Sequence, residues 1–366
     1  MIPFFDYKKI FNSNKKNFEK IFIDISSKGA FIMQEELQKF EKNLSKYHGI
    51  KYVLGVGNAT DAMELLLIAN DVKRGSEIIF CSHTMTATAS AIKFAGAEPV
   101  PVNCNEEYLL DYNDLKNKIN SRTKGVFVTH LNGRIADMNE IKDICRKKNI
   151  EIYEDAAQAI GSKYFNKAAG TFGKGGCISF YPAKVLGCLG DGGALVTNDK
   201  KIYEKALLLR DHGRKNLNVK YWGFNSRLDN IQAGFLNYLI KNIDKNINHR
   251  RNIAKVYFHE LRKNKHIKCP PNNLIESNRF DNYQNFEILC KNRFLLRKFL
   301  TSKNIGTILP WGGKAVHEFS NLNCKSSNLK FTEKIMRQSL LLPMNQFLTI
   351  NDAKTITKEI NKFYKI

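Results

Sequence analysis

No stretch of the chain is apolar for the roughly 18 to 20 residues that a bilayer crossing requires, so no membrane partner is expected. The amino terminus, Met1-Ile-Pro-Phe-Phe-Asp-Tyr-Lys-Lys, lacks the basic region, apolar core and small-residue cleavage site of an export signal, and the expected location is the cytoplasm. The eight cysteines, at positions 81, 104, 145, 177, 188, 269, 290 and 324, form no C-x-x-C pair and have no histidines at metal spacing. That scatter argues against a zinc site and against a disulfide framework. Acidic residues are the scarce charge: 35 of them face 58 Lys and Arg, for a net charge of +23. The excess is not gathered into basic runs with interleaved aromatics, so no nucleic-acid partner is expected; it reads as compositional drift that attracts anionic substrates. Internal repeats and low-complexity linkers are missing too. What is present is a 366-residue chain, 43% apolar, ordinary for a soluble enzyme and longer than one core usually fills. A large domain over 1–245, with the N-terminal segment, and a small C-terminal α/β domain over 246–366 are expected.

From Tyr52 to Thr197 short apolar runs alternate with helical patterns. Tyr52–Val56, Glu77–Phe80, Gly125–His130 and Glu151–Asp155 read as strands, and Asp61–Asn70, Asp111–Ile119 and Asp137–Lys148 as helices between them. This alternation predicts a mainly parallel sheet flanked by helices, in which ligands lie beyond the carboxyl ends of the strands. Cys177–Tyr181 and Gly193–Thr197 read as two more strands, Leu228–Leu261 as long helices, and Asn282–Cys290 as a strand of the small domain, followed by helices over Arg293–Ser302 and Asn351–Tyr364.

The carboxyl ends of those strands carry the chemistry. Ser179-Phe-Tyr-Pro-Ala-Lys184 joins a strand to the Gly190-Asp-Gly-Gly193 turn, downstream of the strand that ends in Glu154-Asp155-Ala-Ala-Gln158. An aldehyde cofactor needs an accessible, desolvated amine to hold it as a Schiff base, and a carboxylate to keep a pyridine nitrogen protonated. Lys184 and Asp155 are the pair that a pyridoxal 5'-phosphate site requires. Gln158 is placed to hydrogen-bond the ring's phenolic oxygen, and Ser179 to add a phosphate contact. Gly57-Asn58-Ala59-Thr60, between a strand and a helix, offers backbone amides and the positive end of the helix to a phosphate; an ordinary helix cap accounts for Asn58 or Thr60 equally well.

These segments resemble the DegT/StrS family of sugar aminotransferases, pyridoxal phosphate enzymes of fold type I. The match runs from about Phe31 to Gln232 and takes in Gly57-Asn-Ala-Thr-Asp-Ala62, the Asp155 and Lys184 segments, Leu189-Gly-Asp-Gly-Gly193, Asp211-His-Gly213 and Gly223-Phe-Asn-Ser-Arg-Leu228. The resemblance implies a homodimer with active sites at the interface, in which Asn225 reaches the phosphate of the partner's cofactor. It implies amino transfer from glutamate to a keto- or aldehydo-sugar, most often nucleotide-linked, for surface polysaccharide or lipopolysaccharide. The pyridoxamine form carries the amino group between the half-reactions. Lysine at 184 favours amino transfer, since relatives that dehydrate sugars carry histidine there. A non-catalytic regulator that binds the cofactor is the reading from another class, and its mark would be loss of Lys184 or Asp155.

The chain departs from the family pattern at three places. Ser82-His83-Thr84-Met85 has methionine where an aromatic commonly covers the cofactor ring, so Met85 is expected to cover it through its sulfur. The family's His-Leu-Tyr-Gly-Gln is here His130-Leu-Asn132-Gly133-Arg134, and Arg134 either grips an acidic or phosphorylated substrate or forms an ion pair at the next helix. A His-Tyr-Pro-type segment is replaced by Leu309-Pro310-Trp311-Gly312-Gly313-Lys314, in which Trp311 offers a stacking face and Lys314 a charge to the substrate; with Arg134, this segment suggests as the alternative acceptor an acidic or phosphorylated keto- or aldehydo-sugar without a nucleotide.

Overall fold

The structure is a computed structural model that describes residues 1–274, 278–324 and 328–365. Seven strands build one sheet, in the spatial order Tyr52–Val56, Gly193–Thr197, Gly175–Ser179, Glu151–Asp155, Thr123–Thr129, Glu77–Cys81 and Glu98–Val102. From Gly175–Ser179 to Glu98–Val102 every pairing is parallel, and Gly193–Thr197 runs against both its neighbours. Successive side chains of a strand point to opposite faces, and here both faces are covered. Ile79, Val126, Val128 and Ile152 enter a core that includes Ile141 and Ile144 of the helix Met138–Lys148, while Ile78, Phe80, Phe127 and Tyr153 enter one formed with the helices Ala59–Ala69 and Thr86–Phe94. This is the mixed α/β architecture with a large, mainly parallel sheet that the alternation predicts.

Differences of detail have local causes. Asp111 and Asp137, expected as first helical residues, are N-caps whose carboxylates accept the amides of Asn113 and Asp114, and of Asn139 and Glu140. Glu98–Val102 escapes the sequence pattern because it contains Pro99 and Pro101, which an edge strand tolerates. The stretch Leu228–Leu261 is broken by the turn Ile240–Asn242 into Asn230–Leu239 and Ile243–Leu261. The strand expected over Asn282–Cys290 begins only at Phe286, because Asn282 and Gln284 turn toward loops of the large sheet.

The C-terminal part has an antiparallel sheet of Ile267–Lys268, Phe286–Cys290 and Ser339–Leu342. Its core gathers Tyr257, Phe286, Ile288, Leu340 and Ile356. The expected domain boundary at 245/246 falls just inside the helix Ile243–Leu261, which serves both cores: Ile243 and Ile247 pack beside the large sheet, Ile253 to Leu261 against the small one. The first four residues meet the C-terminal part, since Ile2 bridges to Ile305 and Asn345 donates to the carbonyl of Phe4, while the helix Tyr7–Ser26 packs on Asn230–Leu239 through Phe18 and Phe235.

Leu66 is fully buried against the sheet, and Asp199 caps the helix Lys200–Leu209 through the amides of Lys201 and Ile202. In denaturant unfolding, Leu66→Ala is expected to cost about 2–5 kcal/mol and Asp199→Ala about 1 kcal/mol. Equal costs for the two would contradict this account of where the stability lies.

Candidate active site

Six of the seven strands run the same way, and the loops after five of them, Tyr52–Val56, Glu77–Cys81, Thr123–Thr129, Glu151–Asp155 and Gly175–Ser179, line one cavity of about 710 Å³. Asn58, Ala59, Thr60, Met85, Asp155, Gln158, Ser179, Lys184 and Trp311 all line it. Nine of the twelve residues expected at the site from the sequence are thus brought together.

Asp155 closes the strand Glu151–Asp155, and its carboxylate is held from two sides: Thr88 Oγ1 donates to Oδ2 at 2.8 Å and the Ala157 amide to Oδ1 at 3.1 Å. Neighbouring Glu154 points to the opposite face of the strand. There its carboxylate accepts the amides of Gly170, Phe172 and Gly173 and lies 2.9 Å from His130 Nε2, so it is a structural group. Lys184 projects from the turn after Gly175–Ser179. Gln284 brackets that turn from the C-terminal part, accepting the Val185 amide at 2.8 Å and donating to the Ala183 carbonyl at 2.8 Å. Burial pulls the Lys184 amine down to about 8, against the Asp155 carboxylate, which favours the charged form. An amine with that balance sheds its proton around pH 8, well below an ordinary lysine.

Another part of the cavity lining suits an anion. Asn58 is the N-cap of Ala59–Ala69, and its side chain accepts the Asp61 amide at 2.9 Å. The cap reading of Asn58 holds, and it leaves the amides of Ala59 and Thr60 at the cavity lining. Gly193 makes the close approach possible: a Cβ there would lie 2.4 Å from the Asn58 carbonyl carbon and 2.6 Å from the Ala59 nitrogen. Ser179 presents its hydroxyl on the same lining, where it also accepts the Tyr181 amide.

Three expected residues do not line the cavity. Arg134 is buried and turned away from it, donating to the Glu107 carbonyl and lying 3.8 Å from Asp281. Gly133, in a left-handed conformation, directs the chain there, and Arg134 fills a seam between the two parts of the molecule where it has no route to a ligand in the cavity. Its partners also differ from the ion pair at the next helix that the sequence allowed. Lys314 is exposed, with its ammonium over Phe319. Asn225 is exposed and pairs with Asp211 in an isolated bridge. Thr88, Gln284, Tyr181 and Asp191 were not singled out for the site, although the last three meet the lysine turn or the cavity. The only sequence signal for Thr88 is the repeat of threonines at 84, 86 and 88; Gln284 has none, since its partners lie about a hundred residues earlier.

A buried amine of lowered proton affinity, a fixed carboxylate and an amide-lined anion cradle in one cavity fit pyridoxal phosphate: Lys184 would hold the aldehyde, Asp155 the ring nitrogen, and Asn58 to Thr60 with Ser179 the phosphate. Fold and site define a pyridoxal phosphate-dependent aminotransferase. The chain belongs to the DegT/DnrJ/EryC1/StrS aminotransferase family, which it matches over residues 12–361. It is 33% identical to a dTDP-3-amino-3,6-dideoxy-alpha-D-galactopyranose transaminase of Aneurinibacillus thermoaerophilus, over 99% of both chains. It is 31% identical to a protein of Geobacillus stearothermophilus named pleiotropic regulatory protein, over 100% of this chain and 99% of the other. S. venezuelae DesV, solved with a ketimine intermediate, superimposes with a TM-score of 0.95 at 29% identity, covering 100% of this chain and 99% of that one. Among the solved neighbours the cofactor is seen as bound pyridoxamine phosphate.

The lowered proton affinity of Lys184 sets a pH test. Capture of pyridoxal phosphate by the cofactor-free protein should rise through about pH 8 and then level off. Asp155→Asn removes the charge that favours the ammonium, so its midpoint should fall below that of the unaltered protein. A midpoint near the ordinary lysine value of about 10.4 would mean that Lys184 is not desolvated in solution.

Proposed function

We propose that this aminotransferase moves an amino group from glutamate to a keto- or aldehydo-sugar, nucleotide-linked, in the biosynthesis of a surface glycan. The observation that carries the reading is the joint presence of Lys184, Asp155 and the Asn58–Thr60 cradle on one cavity, in a chain whose relatives include proteins named as a dTDP-sugar transaminase, a GDP-perosamine synthase and a UDP-sugar aminotransferase. The cofactor, when bound, supplies an aldehyde for the donor amine and a cationic ring that withdraws electrons from the carbon losing a proton. The chain's own residues do the rest. Asp155, tied by Thr88 and the Ala157 amide, keeps the ring nitrogen protonated. Lys184 Nζ, free once the donor has taken its place, removes the proton from the donor α-carbon and delivers it to C4′, then works in reverse with the acceptor. Met85 and Trp311 border the space left for the sugar.

The idea of an acidic acceptor without a nucleotide rested on Arg134 and on the Trp311 to Lys314 segment. With Arg134 sealed in the seam and Lys314 off the lining, only Trp311 supports it, and an indole does not select for charge. The regulator reading draws support from the name of the Geobacillus relative, yet the lysine and aspartate that such a protein could discard are both in place. Absorbance of the pyridoxamine-loaded protein tests all three readings. Conversion of the cofactor by a dTDP-linked keto-sugar and its absence with a phosphorylated keto-sugar are expected, and Lys184→Ala should lose turnover by at least about a thousandfold. Turnover with the phosphorylated sugar alone would reverse the assignment, and no turnover with any sugar would favour the regulator.

The pairing of two chains belongs to the same proposal. Phe22, Ile23, Phe31, Ile32 and Met33 are exposed beside an apolar hollow of about 670 Å³ that reaches Leu189 of the glycine-rich turn, a surface suited to a second copy. Asn225 lies exposed off its own cavity, as a residue serving the partner's phosphate must. Light scattering should give twice the mass of the chain, and Asn225→Ala should weaken retention of the cofactor roughly tenfold without dissociating the dimer. A monomer that holds the cofactor fully would refute this part.

A further inference from the structure

The environment of Gln158 contains a chain of contacts that the reaction described above does not use. Asn132 stands in a left-handed conformation, φ 59 and ψ 16, which asparagine tolerates better than most residues. Its backbone amide donates to Gln158 Oε1 at 2.6 Å. An amide N–H can only donate, so the oxygen of Gln158 is the atom that faces Asn132, and the two Nε2 hydrogens are left for the cavity that Gln158 lines. A ring phenolate needs a donor, and a flipped Gln158 would present an acceptor in its place.

Asn132 is itself held from the C-terminal part. Its Nδ2 donates to Glu287 Oε2 at 2.5 Å, its Oδ1 accepts from Asn285 Nδ2 at 3.0 Å, and its carbonyl accepts the Asn285 amide at 3.4 Å. The next residue, Gly133, is packed so tightly that a Cβ would lie 1.7 Å from Asn282 Oδ1. Glu287, on the strand Phe286–Cys290, is almost fully buried. Its second oxygen accepts the Ser339 hydroxyl and lies 3.1 Å from His83 Nε2. His83 Nδ1 meets the Tyr108 carbonyl at 3.2 Å. Burial alone would lower the proton affinity of His83, but Glu287 overrides it and raises the imidazole to about 10. The imidazolium edge in turn meets the ring of Trp311, centroids 5.8 Å apart at 80°, on the cavity rim. One buried carboxylate of the C-terminal part therefore touches two lines of contact that end on the cavity, one at Gln158 and one at Trp311.

We propose that Glu287 and Asn132 are positioning residues that fix the amide of Gln158 with its N–H groups toward the cofactor, so that docking of the C-terminal part sets the proton affinity of the bound cofactor. The inference rests on the pyridoxal phosphate reading. The side-chain amide of Asn132 can bridge the Glu287 and Asn285 groups because it offers a donor and an acceptor at once.

The test is the pH titration of visible absorbance in protein reconstituted with pyridoxal phosphate. A donor to the phenolic oxygen stabilises the form that has released its proton, so losing the donor raises the midpoint. Gln158→Ala is expected to raise it by about half to one pH unit, the worth of one hydrogen bond, and Asn132→Gly and Glu287→Ala to raise it in the same direction. Glycine keeps the positive φ of residue 132, so Asn132→Gly decides the matter should Glu287→Ala fail to fold. The double variant Asn132→Gly, Gln158→Ala should move the midpoint no further than Gln158→Ala does. An unmoved midpoint in Asn132→Gly beside a moved one in Gln158→Ala overturns the proposal, as does an unmoved midpoint in Gln158→Ala. Failure of the unaltered protein to develop a visible band would instead sink the cofactor reading on which the proposal stands.

Discussion

Desolvation of one ammonium group is the constraint around which the molecule is arranged. A lysine in water keeps its proton far above neutral pH and cannot attack an aldehyde; one placed in a wholly apolar pocket loses its charge but has nothing to steer it. Lys184 lies between these limits, its amine destabilised as a cation by burial and partly restored by Asp155. That balance depends on where two strand ends stop. Glu151–Asp155 and Gly175–Ser179 are hydrogen-bonded neighbours in the sheet, so the acid and the lysine turn emerge side by side. Thr88 and Gln284 then remove the remaining freedom, the first at the acid and the second at the backbone around the amine.

The C-terminal part is more than a cover for this arrangement. Asn282, Gln284, Asn285 and Glu287 all direct polar atoms into loops of the large sheet, and each finds a partner there. Buried polar groups are costly when unpaired, so these contacts form together or not at all. They tie the lysine turn, the loop carrying Gln158 and the segment His130–Arg134 to a single short stretch of chain. A shift of that stretch would be felt by the amine and by the ring pocket at once.

Much of this was legible in the amino-acid sequence, and what was not has a common reason. Strands and helices of the large sheet follow from hydrophobic period, and Lys184, Asp155 and the Asn58–Thr60 segment follow from local motifs whose chemistry depends on neighbours a few residues away. Arg134 failed because its destination is decided by Asp281 and the Glu107 carbonyl, groups that no local pattern links to it. Gln284 and Glu287 escaped notice for the same reason: they look like strand residues, and their partners lie in distant loops. Asn282 to Asn285 even misled the strand assignment, since side-chain bonds to other loops took the place of ladder pairing. The lining itself was readable from local motifs, Trp311 of the C-terminal part included, whereas the contacts that hold it from the other half of the chain were opaque.

The strand Tyr52–Val56 lies at the edge of the sheet, and among the described residues its one ladder partner is Gly193–Thr197, some 140 residues further on. The helix start that forms the anion cradle hangs from this strand, so closing a very long loop precedes its assembly, with the entropy and delay that distant pairing brings. A ribosome-bound chain that ended before the Gly193–Thr197 segment would have its first sheet strand unpaired and its cradle unsupported. Vitamin capture thus falls late in synthesis, after most of the large sheet has left the exit tunnel.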